Sequence, residues 1–317
     1  MKNRIVIVAV VLLQALTITA AAAEEATTER KAVLVTGATS GIGLKVAEKL
    51  AGNGFHVYAG ARKDEDMQRL DAMENITAVR IDVTKQDQID AAVAFVEDQG
   101  RGLWGVVNNA GVAVYSPLTS GPESEFDFTF NVNVYGPFRV NQAFLPLLIE
   151  SGGRTTTISS ISGYIAGRGS YSMSKFAVEG YTDSLANELA ESGVHVSAVQ
   201  PGGFRSEIVN NLIKRAEEAE EEGKLEINDE LRSGLEQSAE SRQTLKEPDE
   251  VAAAVLELMT VDEPKRRYMV TPNEEQADMT IRAAMQRLLE LNEGHAYSKS
   301  RDELVELVDE LLTPAVP

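Results

Sequence analysis

The stretch Ala32-Val33-Leu34-Val35-Thr36-Gly37-Ala38-Thr39-Ser40-Gly41-Ile42-Gly43 decides the fold. Its opening apolar run has no polar alternation and reads as a strand buried on both faces, the kind found in parallel sheets covered by helices. The glycines that follow permit a tight turn, and from about Gly41 to Ala51 the apolar spacing becomes helical. The same rhythm recurs downstream. His56–Gly60, Ala78–Ile81, Gly105–Asn108, Thr155–Ser159 and His195–Gln200 are short strand-like runs, and Arg267–Val270 is a candidate for one more. Helical patterns separate them: a long one around Glu123–Glu150, which Pro137 and Pro146 should bend or end in part, and another over Tyr171–Ser192. Alternating strands and helices make βαβ units, so the expected fold class is α/β: a single doubly wound, Rossmann-type parallel sheet of about seven strands with helices on both faces.

Composition narrows the partners. The 317 residues are 43% hydrophobic, enough for a sizeable core. A formal charge of −19, from 30 Lys and Arg against 49 Asp and Glu, would repel nucleic-acid phosphates, and no basic stripe offsets it. Cysteine is absent, which excludes disulfides and thiolate metal sites. His56, His195 and His295 are scattered, so no metal centre is expected.

Outside the periodic region, three segments stand apart. Lys2 and Arg4 precede an apolar run from Ile5 to Ala23 broken only by Gln14, Thr17 and Thr19, and ending in four alanines before Glu24-Glu25. That is the basic region, apolar stretch and small-residue site of an export signal. Residues 1–23 are read as a signal peptide delivering the domain to the periplasm or medium, or alternatively as a membrane anchor over 5–23, with 24–31 as a linker and 32–317 as the domain. Any membrane contact would run through that segment alone. Between 205 and 247 the β/α rhythm stops; this reads as a mobile, mostly helical insertion over the sheet's carboxyl edge, with the glutamates of Ala216–Glu222 solvated. Residues 276–317 read as C-terminal helices, the last with an apolar stripe of Leu304, Val305, Leu307, Val308, Leu311 and Leu312.

The turn Thr36–Gly43 carries chemistry as well as shape. Its glycines let backbone amides approach a pyrophosphate, whose charge is favoured at a helix N-terminus. The spacing T-G-x-x-x-G-x-G departs from the commoner G-x-G-x-x-G fingerprint. Asn108-Asn109-Ala110-Gly111 closes the fourth strand. Tyr171-Ser172-Met173-Ser174-Lys175 places a phenol and an ammonium one helical turn apart, and a nearby ammonium favours phenolate over phenol, making the tyrosine a usable general acid and base. A Ser-rich strand end precedes this pair and a Pro-Gly turn follows it.

In these elements the sequence resembles the short-chain dehydrogenase/reductase family, from roughly Lys31 to Val270. The runs Val134–Leu147 and Tyr171–Leu189 look most like members acting on steroids, retinoids and related lipophilic alcohols. The resemblance implies that Gly37, Thr39, Ser40, Gly41, Ile42 and Gly43 line a dinucleotide pyrophosphate, that Asp82 and Val83 lie at the adenine, and that Asn109, Ala110 and Gly111 flank the cofactor. It implies a catalytic set of Asn133, Ser160, Tyr171 and Lys175, with Ser159 as a rival for Ser160 because the interval to Tyr171 is shorter than the family's usual one. Tyr171 and Lys175 would also touch the cofactor, Pro201 and Gly202 would flank the nicotinamide, and Ser206 stands where the family commonly has Thr.

Cofactor choice rests on Tyr58-Ala59-Gly60-Ala61-Arg62-Lys63. An acidic residue there would accept from a ribose hydroxyl, whereas here Arg62, with Ser40, can meet a 2′-phosphate, so NADP(H) is favoured over NAD(H). The expected reaction interconverts a secondary alcohol and a ketone, or a primary alcohol and an aldehyde, on a lipophilic small molecule. Tyr171 would exchange the proton, Ser160 would hydrogen-bond the substrate oxygen, Lys175 would hold the ribose, and Asn133 would order a relay water. Phe204, Ile208 and Leu212 recur at near-helical spacing and are the expected substrate contacts. A homodimer or homotetramer accompanies the resemblance. Two other readings stay open: a binding protein that senses NADP(H) without turnover, and an epimerase or lyase with no net cofactor change.

Overall fold

A computed structural model of the chain describes residues 31–114, 117–223 and 227–313. Seven strands form one parallel sheet: β1 (Ala32–Val35), β2 (His56–Ala61), β3 (Ile76–Arg80), β4 (Gly105–Asn108), β5 (Arg154–Ile158), β6 (His195–Pro201) and β7 (Arg267–Val270), in the order β3-β2-β1-β4-β5-β6-β7. Strand order reverses between β1 and β4. In a doubly wound sheet that reversal leaves a crevice outside the carboxyl ends of the strands, where ligands bind.

The helices are α1 (Gly41–Ala51), α2 (Asp64–Asp71), α3 (Gln86–Asp98), α4 (Glu123–Asn133), α5 (Tyr135–Ser151), α6 (Gly169–Glu188), α7 (Ile208–Glu221), α8 (Asp229–Gln243) and α9 (Asp249–Thr260). Because side chains alternate along a strand, β1 feeds two cores at once. Val33 and Val35 join Val46 and Leu50 of α1 and Val251, Val255 and Leu258 of α9. Ala32 and Leu34 join Ile89 and Val96 of α3 and Val140, Phe144 and Leu148 of α5 on the other face. The unbroken apolar run of β1 thus has its cause in burial on both sides.

The long helix read over 123–150 is two helices, parted at Val134. Pro137 cannot donate a hydrogen bond, a loss without consequence in the first turn of a helix, so the chain restarts there as α5. Pro146, by contrast, lies inside α5 without ending it. The helix read from Tyr171 begins at Gly169, which puts Tyr171 in its first turn. Residues 205–247 hold α7 and α8. Their glutamates are not all merely solvated: Glu220 accepts from Arg232 of α8 at 2.7 Å and from the Ile227 amide at 3.2 Å, tying the two helices together.

The chain divides after Pro272 into two compact units. The second holds α10 (Glu274–Asn292), capped by Asn273, and α11 (Arg301–Leu312), which opens with a reciprocal cap between Ser300 and Glu303. The apolar stripe of α11 stays exposed at Val305, Val308, Leu311 and Leu312. Among the described residues no helix is long and apolar enough to cross a membrane. The leader read over 1–23 lies outside them.

One core residue yields a test. Tyr58 of β2 is fully buried, edge-on to His56 and Phe95, and its hydroxyl has no hydrogen-bond partner. An unpaired buried hydroxyl is a net cost, so Tyr58→Phe should stabilise the fold by about 1 kcal/mol, read as a higher urea midpoint with an unchanged slope. A lower midpoint would mean the hydroxyl is paired in solution.

Candidate active site

The crevice is built first from backbone. Gly37 and Gly41 adopt φ of +63° and +52°, a region costly for residues with a Cβ. A Cβ on Gly37 would lie 2.9 Å from the Ala110 Cα, so the turn after β1 and the segment after β4 touch there backbone to backbone. Hydrogen bonds hold the contact. The Thr36 hydroxyl accepts from the amides of Asn109 at 3.1 Å and Ala110 at 3.0 Å, while Asn109 Nδ2 donates to the carbonyls of Thr36 at 3.0 Å and Gly37 at 2.9 Å. Gly43, buried in α1, leaves the room that Asn109 Nδ2 and the Gly37 carbonyl fill. Across the crevice, a Cβ on Gly41 would come within 3.4 Å of Ser206. The Ser40 hydroxyl makes no capping bond to α1. The result is a shallow cradle without side chains at the positive end of a helix, a shape and polarity that fit a dinucleotide pyrophosphate. Thr39 offers its carbonyl to Arg69, and Ile42 packs against the core.

At its β2 side, Arg62 is exposed just past the strand end, and its carbonyl accepts from Arg80 at 2.6 Å. Arg69 of α2 donates to the Thr39 carbonyl at 2.6 Å while pairing with Asp66 at 3.0 Å. Arg69 therefore touches the turn directly, while Arg62 stands past the end of β2 near Asp82. Asp82 accepts from the Thr84 amide at 3.0 Å and hydroxyl at 2.7 Å. Burial works against its carboxylate, but those bonds and the charges of Arg62 and Lys85 outweigh it and hold the pKa below the ordinary value. Val83 is buried against Gly136.

The four residues of the expected catalytic set come from three places: the end of α4, the segment after β5 and the start of α6. Asn133 ends α4, and its side chain is committed to structure: Oδ1 accepts from the Val112 amide at 2.8 Å, and Nδ2 donates to the Val112 carbonyl and the Ser174 hydroxyl, both at 2.9 Å. Both amide hydrogens are spent, so the expected relay water cannot be held by them. Ser160, after β5, accepts from the Ser162 amide at 3.1 Å, which leaves its own proton to donate. Its rival Ser159 is also buried, and its hydroxyl has no partner. Lys175 is buried, donates to the Ile158 carbonyl at 2.8 Å and lies 5.7 Å from the centre of the Tyr171 ring. Burial pulls its pKa down to about 8, against the opposing charge of Glu179. A Cβ on Gly111 would meet both Asn133 Oδ1 at 3.5 Å and Lys175 Nζ at 3.9 Å. The segment after β4, the end of α4 and the start of α6 thus converge beside the glycine turn.

Past β6, the Gly202 amide donates to the Val270 carbonyl at 2.7 Å, fixing the turn after Pro201. Phe204 does not match its expected role. It is 2% exposed and packs in the core with Val199 and Val255, so it supports the turn instead of meeting substrate. Ile208 and Leu212 are half-buried on α7. Arg215, further along α7, is anchored to Glu125 of α4 by two bonds of 2.7 and 2.9 Å and lies 3.7 Å over the Phe128 ring. Sequence reasoning missed Thr36, Arg69, Ser174, Arg215 and Glu179. Thr36 adjoins the glycine turn and Ser174 sits inside the Tyr–Lys motif, signals that were in view; nothing local marks the others.

The family model described as short chain dehydrogenase matches residues 31–217, more than half of the chain and the span that holds every site residue named above. An uncharacterized oxidoreductase of Escherichia coli K12, YbbO, is 38% identical over 187 residues, 58% of this chain and 69% of that protein. The mitochondrial D-beta-hydroxybutyrate dehydrogenase of Bos taurus is 37% identical over 186 residues, 55% of this chain and 54% of that protein, so the match spans about half of that relative. A short-chain dehydrogenase of Streptomyces avermitilis superposes with a TM-score of 0.66 at 26% identity, covering 90% of this chain and 99% of its own. By the glycine turn, the Tyr171–Lys175 pair, the sheet order and the matched span, the chain belongs to the short-chain dehydrogenase family.

Proposed function

We propose that the chain, as an NAD(P)-dependent oxidoreductase of this family, interconverts a lipophilic alcohol and its ketone or aldehyde with NADP(H), Tyr171 moving the proton. The observation that carries the reading is the buried Lys175, 5.7 Å from the Tyr171 ring centre and next to Gly111, whose segment packs on a glycine turn suited to a dinucleotide. A bound nicotinamide supplies or accepts the hydride. Gly37, Gly41, Ser40 and the first turn of α1 would hold the pyrophosphate, Asp82 and Val83 the adenine, and Pro201 and Gly202 the nicotinamide.

The chain's own residues then divide the remaining work. In reduction Tyr171 donates its phenolic proton to the substrate oxygen, and in oxidation the phenolate takes that proton back. Ser160, whose hydroxyl already accepts from Ser162, donates to the same oxygen and stabilises the charge that develops on it. Lys175 spends one hydrogen on the Ile158 carbonyl and has two left for the ribose, and its positive charge favours phenolate over phenol at Tyr171. Asn133 acts by clamping the Val112 backbone and Ser174, which fixes both walls of the site. A guanidinium at Arg62 suits the additional phosphate that distinguishes NADP(H) from NAD(H). The half-buried Ile208 and Leu212 on α7 offer apolar contact to substrate.

Three substitutions test these roles. Tyr171→Phe should lower NADPH-dependent reduction of lipophilic ketones by about a thousandfold with the fold intact. Arg62→Ala should weaken NADPH binding by roughly tenfold or more and leave NADH nearly unchanged; equal loss for both cofactors would sink the phosphate assignment. Ile208→Ser with Leu212→Ser should raise KM for large apolar ketones about tenfold without altering cofactor affinity or melting temperature. If the melting temperature falls and the preference among large and small ketones does not change, these residues are ordinary core.

A further inference from the structure

Glu179 lies one turn of α6 beyond Lys175, a spacing that puts the two side chains on one face of the helix. It is 7% exposed. Its Oε2 accepts from Arg267 Nε at 2.9 Å, Gln200 Nε2 at 3.0 Å and the Tyr164 hydroxyl at 3.3 Å, while Oε1 is buried without a partner. The other arm of Arg267 donates to Asp183 at 2.8 Å. Gly163 makes the space: a Cβ there would sit 3.0 Å from Glu179 Cγ and 3.1 Å from the Lys175 carbonyl. Burying a carboxylate costs several kcal/mol, and a buried ion pair often adds nothing to stability over apolar packing. Packing alone therefore gives no reason for an acid here.

Its three donors supply one. Tyr164 belongs to the segment that follows Ser160, Gln200 immediately precedes Pro201-Gly202, and Arg267 opens β7. One carboxylate joins the segments that flank the site to the helix carrying Tyr171 and Lys175. Among the described residues Glu179 is the charge that acts on Lys175. Around the pair, α4 faces α6 with Thr129 and Asn133, bonded to Ser170 and Ser174, and with Glu125 paired to Arg215; Arg168 precedes Tyr171 by one turn, and β5 offers the Ile158 carbonyl. Glu179 is the charge that opposes the effect of burial on Lys175, and Arg267 is the cation facing Glu179. Tyr164, beside the same carboxylate, has its pKa raised by burial and by that charge.

We propose that Glu179 is a positioning residue for the Tyr171–Lys175 pair: anchored by Arg267, it supplies the negative charge that keeps the buried Lys175 an ammonium, and it fastens the segments after Ser160 and before Pro201-Gly202 to α6. The inference rests on the reading of Tyr171 and Lys175 as the proton-transfer pair. Without the acid, Lys175 loses its proton at lower pH; without Arg267, the unopposed acid holds that proton to higher pH. Opposite signs from two members of one ion pair are a signature that loss of packing does not produce.

The test is a lysine 13Cε NMR titration of the full chain without cofactor, the Lys175 signal being assigned by its absence in Lys175→Arg. The wild-type midpoint is expected near 8. Glu179→Gln should lower it by about one pH unit, Glu179→Asp should restore part of the shift, and Arg267→Gln should raise it. With NADPH and acetophenone as the probe, Glu179→Gln should also cut kcat about tenfold and leave the NADPH KM within about twofold. Midpoints that stay still, or that move the same way in Glu179→Gln and Arg267→Gln, overturn the proposal. Should Glu179→Gln fail to fold, a downward or absent shift in Arg267→Gln alone overturns it. Full turnover in Tyr171→Phe would instead remove the functional reading on which the inference stands, a result separate from the titration.

Discussion

The contact between the turn after β1 and the segment after β4 is the constraint on which the rest depends. Four hydrogen bonds tie Asn109 and Ala110 to Thr36 and Gly37 across the point where strand order reverses, and Gly37 brings the two backbones within van der Waals distance. Were either segment displaced, α1 would no longer aim its N-terminus into the crevice, and Gly111 would lose its place against Asn133 and Lys175. A parallel sheet creates the gap; these side chains decide its width.

A second layer of buried polar contacts carries that order into the helices. Asn108 donates to Asn141 at 2.9 Å, Thr155 donates to the same Asn141 oxygen at 2.6 Å, and Asn141 Nδ2 donates to the Tyr181 hydroxyl at 2.9 Å. Burial pushes the Tyr181 pKa up to about 12, so the phenol stays protonated and the network neutral. The chain links β4, β5, α5 and α6, the elements whose ends build the site. Such networks favour one arrangement over its near neighbours, at the cost here of an Asn108 Oδ1 buried without a partner. At the opposite end of the strands, Arg154 donates to the carbonyls of Leu258 and Val261 and lies 4.5 Å from the Trp104 ring, closing α9 onto the sheet.

How much was legible in the sequence follows from the range of the forces involved. β4 and β7 were read to the residue because each is a short apolar or β-branched run between breakers. The division of α4 from α5 was hinted at by Pro137 but not placed, since a proline in a first turn and a proline inside a helix look alike until the register is known. Phe204 was misassigned for a related reason: periodicity shows that a residue has an apolar neighbour but not whether that neighbour is substrate or core.

The sequence by itself determined the fold class and marked the glycine turn and the Tyr171–Lys175 pair, because strand periodicity, glycine freedom and the Tyr171–Lys175 spacing are local properties that survive without a partner. Tertiary structure alone decided which atoms of those residues remain available. It tied up the Asn133 amide, left the Ser160 proton to donate, buried Ser159 and set Glu179 and Arg267 behind Lys175. Each of those outcomes depends on hydrogen bonds and desolvation between segments far apart in the chain, and no local pattern encodes the distance at which such segments meet.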